Sequence, residues 1–322
     1  MITLILILLI ILIEKSFAQN FYKRGDGATC IDYALPSEFD NLLKRKIAFK
    51  SKKETLRGFV YKDKSVTNFE AVIVIVHGIG YGHFYLLNLV SYFAKNGYIV
   101  FCYDQASSGM SSGKKIDCMS RASLDIDYAL KFKENDDELK NYDTYLFGHS
   151  WGGFTVLSAL NLKHKIKKVI SVAGFNSEAD LASATTPKIK PFGFIIRLRN
   201  FIHYGRYAFF DANKGIIKSP AKIRYYQGDK DLTISPKLGL EFFKKYEKDN
   251  FEVIALKDKG HTPFINDESQ KLQQEVLVDL GLLGGKEVDV SYFVDFRKLS
   301  LPDNDVYQSF LEFFDNWFLL KT

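Results

Sequence analysis

From about residue 47 to the C-terminus, short runs rich in Val, Ile, Tyr and Phe alternate with longer segments whose apolar residues recur every three or four positions. This alternation predicts an α/β chain: a mainly parallel, eight-stranded sheet with helices on both faces. Strands are expected at residues 46–50, 58–61, 71–76, 98–103, 143–147, 168–173, 223–227 and 251–256. The third and fourth, AVIVIV and YIVFCY, are continuous apolar runs, as strands covered on both faces require. The first two are separated by polar residues 51–54 and are expected to form an antiparallel hairpin at the sheet edge. Residues 85–95 have helical spacing and stop at Asn96 and Gly97. Further helices are expected at 120–133, 151–162 and 304–318.

Two stretches interrupt the rhythm. Residues 175–218 are rich in Phe, Tyr, Lys and Arg, contain Pro187 and Pro191, and show no clear short helix. They are expected to be a cap inserted between core segments 19–174 and 219–322. Residues 267–302 separate His261 from the terminal helix and are expected to pack near the site. No internal repeat occurs.

The N-terminus is different in kind. Residues 2–13 are apolar apart from Thr3, followed by Glu14, Lys15 and the small-residue pattern Ser16, Phe17, Ala18. At about twelve residues the run is short for a bilayer span, so residues 1–18 read as a cleaved secretory signal and the protein as secreted or lumenal; the alternatives are a membrane anchor or a buried helix. Three cysteines follow. Cys102 falls in a core strand, which leaves Cys30 and Cys118 either as a disulfide pair, permitted in an oxidising compartment, or as two thiols. No Asn-x-Ser/Thr site occurs. A net charge of +6 is spread along the chain without a recognised binding motif, so a nucleic-acid partner is not expected.

The strongest chemical signal is Gly148-His149-Ser150-Trp151-Gly152, placed between the strand DTYLF and an apolar helical segment. This is the context of a nucleophile elbow, where the serine sits on a sharp turn and flanking glycines admit close backbone. A serine hydroxyl needs a base, and His261 lies just past the last apolar strand, where a loop would carry it toward the serine. Among the other histidines, His149 is in the elbow, His77 opens a glycine loop, His164 and His203 read as surface or cap residues, and His83 is a candidate pocket-lining residue. An acid must orient the base. The segment Gly228-Asp229-Lys230-Asp231-Leu232-Thr233-Ile234 offers two, of which Asp231 has the expected spacing and Asp229 reads as a brace of the turn. His77-Gly78-Ile79-Gly80, after the third strand, would present the Ile79 N–H beside that of Trp151 as an oxyanion hole. A phosphate loop is excluded by the lack of a Gly-Lys-Ser/Thr ending.

On these residues the chain resembles the α/β-hydrolase superfamily, in the branch that holds monoacylglycerol lipases, lysophospholipases and serine aminopeptidases. The segment DQASSGMSSG, residues 104–113, is similar to the family's Asp-x-Arg-Gly-x-Gly-x-Ser-x-Gly stretch, with Ala106 and Ser107 in place of the usual Arg and Gly. The resemblance implies hydrolysis through an acyl-enzyme without metal or organic cofactor. Carboxylic esters are the expected substrates, from short acyl esters to monoacylglycerol-like lipids. A peptidase would need an acidic pocket for a free amino terminus, and the 175–218 stretch has only Glu178, Asp180 and Asp211. Haloalkane or epoxide chemistry would require Asp where Ser150 stands. A non-catalytic binding protein is the reading from another class. The aromatics of the cap would cover an acyl pocket or simply pack on the core, and Arg197, Arg199 and Arg206 would suit transient contact with a lipid surface.

Overall fold

A computed structural model describes residues 23–26, 31–185, 192–279 and 294–315. The expected signal, residues 1–18, lies outside the described residues, as does Cys30. Cys118 is a buried free thiol, as is Cys102.

The sheet has eight strands: β1 Leu42–Ser51, β2 Glu54–Asp63, β3 Ala71–Val76, β4 Ile99–Tyr103, β5 Asp143–His149, β6 Ile166–Val172, β7 Lys222–Gly228 and β8 Phe251–Leu256. Their order across the sheet is β1-β2-β4-β3-β5-β6-β7-β8. β1 pairs antiparallel with β2 and β2 with β4, and every later pair is parallel. The hairpin strands are about twice as long as their apolar residues indicate. LLKRKIAFKS lies at the sheet edge with Lys and Arg facing water, so pairing with β2, rather than burial, makes it a strand.

The side-chain period of two sorts each central strand between two cores. From β3, Ile73 and Ile75 join one cluster and Val72, Val74 and Val76 the other. The first cluster receives α1 (Leu87–Lys95) and the C-terminal helix, of which Asn304–Asp315 is described; the second receives α2 (Arg121–Asn135) and α3 (Trp151–Ser158). α1 is preceded by a 3-10 turn, His83–Leu86, and ends before Gly97, which adopts φ +89°.

The 175–218 stretch does hold helices: α4 Glu178–Thr185, α5 Phe192–Tyr204, a 3-10 turn Gly205–Phe209, and α6 Ala212–Lys218. Periodicity misleads there because α5 buries Arg199 and Asn200 and turns Phe194, Phe201 and Ile202 outward, the reverse of the usual pattern. α6 packs onto α3, with Ala212 and Ile216 in the sheet's own core, so only the part from α4 to Phe209 stands apart from the flanking layer. α7 is Leu240–Lys244 and α8 Asp267–Asp279. After α8, Val294–Asp295 pairs in parallel with Ile31–Asp32 and leads into the one-turn helix Phe296–Leu299. Among the described residues no helix is long and apolar enough to cross a membrane.

Candidate active site

All parallel strands end at one edge of the sheet, and the loops leaving that edge carry the candidate residues. Ser150 is the single residue between β5 and α3, at φ 57° and ψ −116°. Such a backbone costs on the order of 1–3 kcal/mol. It is held by the Ser150 N–H donating to the Val172 carbonyl (2.8 Å) and the Phe154 N–H donating to the Ser150 carbonyl (3.0 Å). The turn closes only because its neighbours lack side chains. A Cβ on Gly148 would lie 2.1 Å from the Gly152 carbonyl oxygen, and one on Gly152 would lie 2.0 Å from that of Val76.

The loops after β7 and β8 bring Asp231 and His261 to this turn. His261 Nε2 is 2.9 Å from Ser150 Oγ, and His261 Nδ1 is 2.9 Å and 3.1 Å from the two Asp231 oxygens. Asp231 is buried and also accepts from the N–H groups of Thr233 and Ile234 and from the Gln227 amide. Burial pushes its carboxyl up. The hydrogen bond and charge of His261, with the Ile234 N–H and the Gln227 amide, outweigh burial and hold it below the ordinary carboxylate range. An ionised carboxylate only accepts, so His261 carries its proton on Nδ1, and its Nε2 lone pair faces the serine hydroxyl, which donates. That arrangement can take a proton from Ser150 as the oxygen attacks. Asp229 lies outside it, accepting from the Asp258 N–H.

Gly78 passes close beside the serine: a Cβ there would be 3.4 Å from Ser150 Cβ. The loop is pinned by His77, whose Nδ1 donates to the Gly78 carbonyl (2.7 Å) and whose Nε2 accepts from the Gln105 N–H (2.9 Å), while the Gln105 amide donates to the His77 carbonyl. Burial lowers the pKa of His77 and favours this neutral form. The Trp151 indole donates to the Met119 carbonyl. Among the described residues, the backbone N–H groups of Ile79 and Trp151 have no acceptor.

Two features were not anticipated. His149 is buried, and burial together with the nearby His261 lowers its pKa to about 3. Neutral His149 donates from Nε2 to the His261 carbonyl (2.9 Å), fixing the backbone of that residue. Gln227 braces Asp231 and the Ile234 carbonyl; its only signal in the sequence is its place at the strand end just before Gly228, since the strand already carries Lys222 and Arg224. His83, expected at the pocket, is instead sealed in the core. Its Nδ1 is 2.8 Å from Asp104, its Nε2 is 3.0 Å from the Tyr61 hydroxyl, and its backbone N–H donates to Asp104. His164, expected at the surface, is largely covered and bonded to Asp127 and Glu134.

In the stretch 104–113, Ser107 takes φ +65° at the position of the usual glycine. Its N–H donates to the Ser112 carbonyl, and the Ala106 N–H donates to Asp125. Arg24 donates to the carbonyls of Gly109, Ser111 and Gly113, bracing the same loop from the N-terminal side. Among the described residues no group of three or more His, Cys, Asp or Glu side chains is placed to hold a metal ion.

Residues 67–248 match the family described as serine aminopeptidase, S33. The chain belongs to that family. Its fold is that of the α/β hydrolases. The Pyrococcus furiosus esterase Pf2001 superposes with a TM-score of 0.58 at 14% identity, covering 80% of this chain and 96% of that one. Est1E from Butyrivibrio proteoclasticus, solved with ferulic acid, gives 0.56 at 16%, covering 73% and 98%. The acylaminoacyl peptidase of Pyrococcus horikoshii gives 0.56 at 16%, covering 87% of this chain and 42% of that one. At such identities the likeness is one of fold. A search of curated proteins by sequence returns no match.

Proposed function

We propose that this S33-family hydrolase is a serine esterase, cleaving carboxylic esters through an acyl-enzyme. The observation that carries the reading is the unbroken hydrogen-bonded chain from Asp231 through His261 to a serine held on a strained turn. Ser150 Oγ attacks the ester carbonyl carbon as its proton passes to His261 Nε2, and the oxyanion is met by the N–H groups of Ile79 and Trp151. Collapse breaks the ester bond, and the leaving alkoxide takes the proton from Nε2. Water then attacks the acyl group, gives a proton to Nε2, and the acid departs as Ser150 recovers that proton. Asp231 keeps the imidazole in the required tautomer throughout.

Ester rather than peptide cleavage is favoured by the cap. Glu178, the acid at its entrance, is buried and already accepts from Ser120 and Asn200, so it is not free to receive an amino terminus. Secretion is part of the same proposal and predicts a mature chain that starts after Ala18, read by intact mass. The activity is tested by fluorophosphonate labelling beside Ser150→Ala, followed by p-nitrophenyl esters from acetyl to palmitoyl and an aminoacyl anilide. Serine-dependent labelling with ester turnover is expected. Turnover of the anilide alone would replace the reading with a peptidase, and no labelling of folded protein would replace it with a binding protein.

A further inference from the structure

Helix α5 turns an apolar stripe to solvent. Phe194, Leu198, Phe201 and Ile202 fall at i, i+4, i+7 and i+8, on one face. Phe194 and Ile202 are each 69% exposed and Phe201 47%. Phe209 (43% exposed) extends the patch, its ring edge-on to Phe201 at 5.5 Å.

The helix is not free to roll and hide this face, because its opposite face is locked by polar bonds. Arg199 donates to the Asp117 carbonyl, Asn200 to Ser120 and Glu178, and the Tyr204 hydroxyl to the Asp117 carboxylate. Ile196, one turn before these anchors, is fully buried. The stripe is therefore presented by the fold, at the cost of leaving several large apolar side chains in water.

Its surroundings carry more cations than acids: Arg197 and Lys214 share Asp211, and Arg206 and Lys131 share Asp127. Arg206, 68% exposed, holds its guanidinium over the rings of Tyr207 and Phe210 and 3.9 Å from Asp127, and the Arg197 guanidinium lies over Phe209 of the patch itself. Apolar side chains bordered by cations complement a surface that is anionic outside and apolar a few ångströms down.

We propose that α5 and Phe209 dock this protein on an anionic lipid surface. The chain enters the cap from the end of β6, where Val172 pairs with His149, so the cap rises from the sheet edge that carries Ser150. On the esterase reading, which this last step alone requires, docking brings lipid esters to the serine.

The test uses the full chain with vesicles of phosphatidylcholine alone and of phosphatidylcholine mixed with phosphatidylglycerol. Sedimentation should recover more protein on the anionic vesicles, less as salt is raised. The double variant F194S/I202S should weaken this partition about tenfold or more, with soluble acetyl-ester turnover and melting temperature unchanged. Amide exchange over residues 192–209 should slow on vesicle addition. The Ser150→Ala variant should bind like the parent, so failure of the esterase reading leaves docking standing. No vesicle binding, or binding without protection of 192–209 and unaffected by the double variant, overturns the proposal and assigns any lipid contact to another part of the chain. A dimer in solution that the double variant dissociates overturns it in favour of a second copy on this face.

Discussion

The molecule holds two hydrogen-bonded chains of hydroxyl, imidazole and carboxylate. Ser150–His261–Asp231 ends at the sheet edge, where the His261 side chain retains 21% exposure. Tyr61–His83–Asp104 has the same sequence of groups at similar distances and no exposure at all. In both, burial pushes the carboxyl up, and the histidine together with the carboxylate's other partners, His77 and the Met110 N–H for Asp104 and the Ile234 N–H and Gln227 for Asp231, holds it below the ordinary range. The difference lies in the far end. The serine stands on a strained turn with two unpartnered N–H groups nearby, whereas burial drives the Tyr61 hydroxyl to hold its proton well above the ordinary range. A chain of hydrogen bonds is therefore not itself a reactive site; access and a releasable proton separate a device for chemistry from one for bracing. The buried chain does bracing work: it ties β2, the turn after Gly82 and the loop that holds Met110, whose N–H donates to Asp104.

Substitutions should divide the two chains by what they lose. The largest effects are expected at the exposed one, where Ser150→Ala should reduce kcat about 10⁶-fold and Asp231→Asn about 10⁴-fold, with folding retained, as measured by ester turnover and circular dichroism. At the buried one, Asp104→Asn should instead cost about 3–5 kcal/mol of stability by leaving a buried partner uncompensated, read from the denaturant midpoint. Comparable loss of kcat with no loss of stability there would erase the distinction.

A third expectation concerns pH. His149 titrates near 6.5 when unfolded and near 3 when folded. Between those values the unfolded chain binds the extra proton, so stability falls as pH drops from 6.5 toward 3. His149→Gln keeps a donor for the His261 carbonyl and should flatten this slope by a few kcal/mol over the window, seen in denaturant midpoints at pH 7 and pH 4. Asp104 and Asp231 have lowered folded values, so their contribution is present above their ordinary value of 3.8 and is lost only below it. A slope unchanged in the variant would assign the acid sensitivity to another group.

Smaller effects complete the comparison. Tyr61→Phe removes one buried hydrogen bond and should cost about 1 kcal/mol without moving kcat. Asp229→Asn, at an exposed turn, should change kcat by less than about threefold, since surface substitutions stay within ~0.5 kcal/mol; a fall matching that of Asp231→Asn would reverse the choice between the two acids.

Most of the sheet is legible in the sequence because β3 and β4 are continuous apolar runs and β5 to β8 each hold a short β-branched or aromatic stretch, and the strand at residues 251–256 matches its expected bounds. Of β1 only residues 46–50 and the edge hairpin are legible, since an edge strand takes the rest of its length from a partner rather than from its own burial. The elbow is legible because its glycines and serine fall within five consecutive residues between a strand and a helix. His83 misleads because nothing local shows that Asp104, twenty-one residues away, closes over it. The helices of the cap escape notice because α5 turns its apolar stripe outward and buries Arg199, Asn200 and Tyr204, so the pattern does not mark a core-facing side.

Local sequence thus determined the alternation of elements, the elbow and the order Ser, Asp, His, all of which depend on neighbours in the chain. The tertiary structure decided which histidine reaches a hydroxyl at the surface and which is sealed beneath it. It also decided that His149 holds the His261 backbone and that one apolar face of α5 stays outside. Those outcomes depend on distances between segments brought together only when the two cores close on the sheet, and on burial, which no residue possesses until its neighbours in space are present.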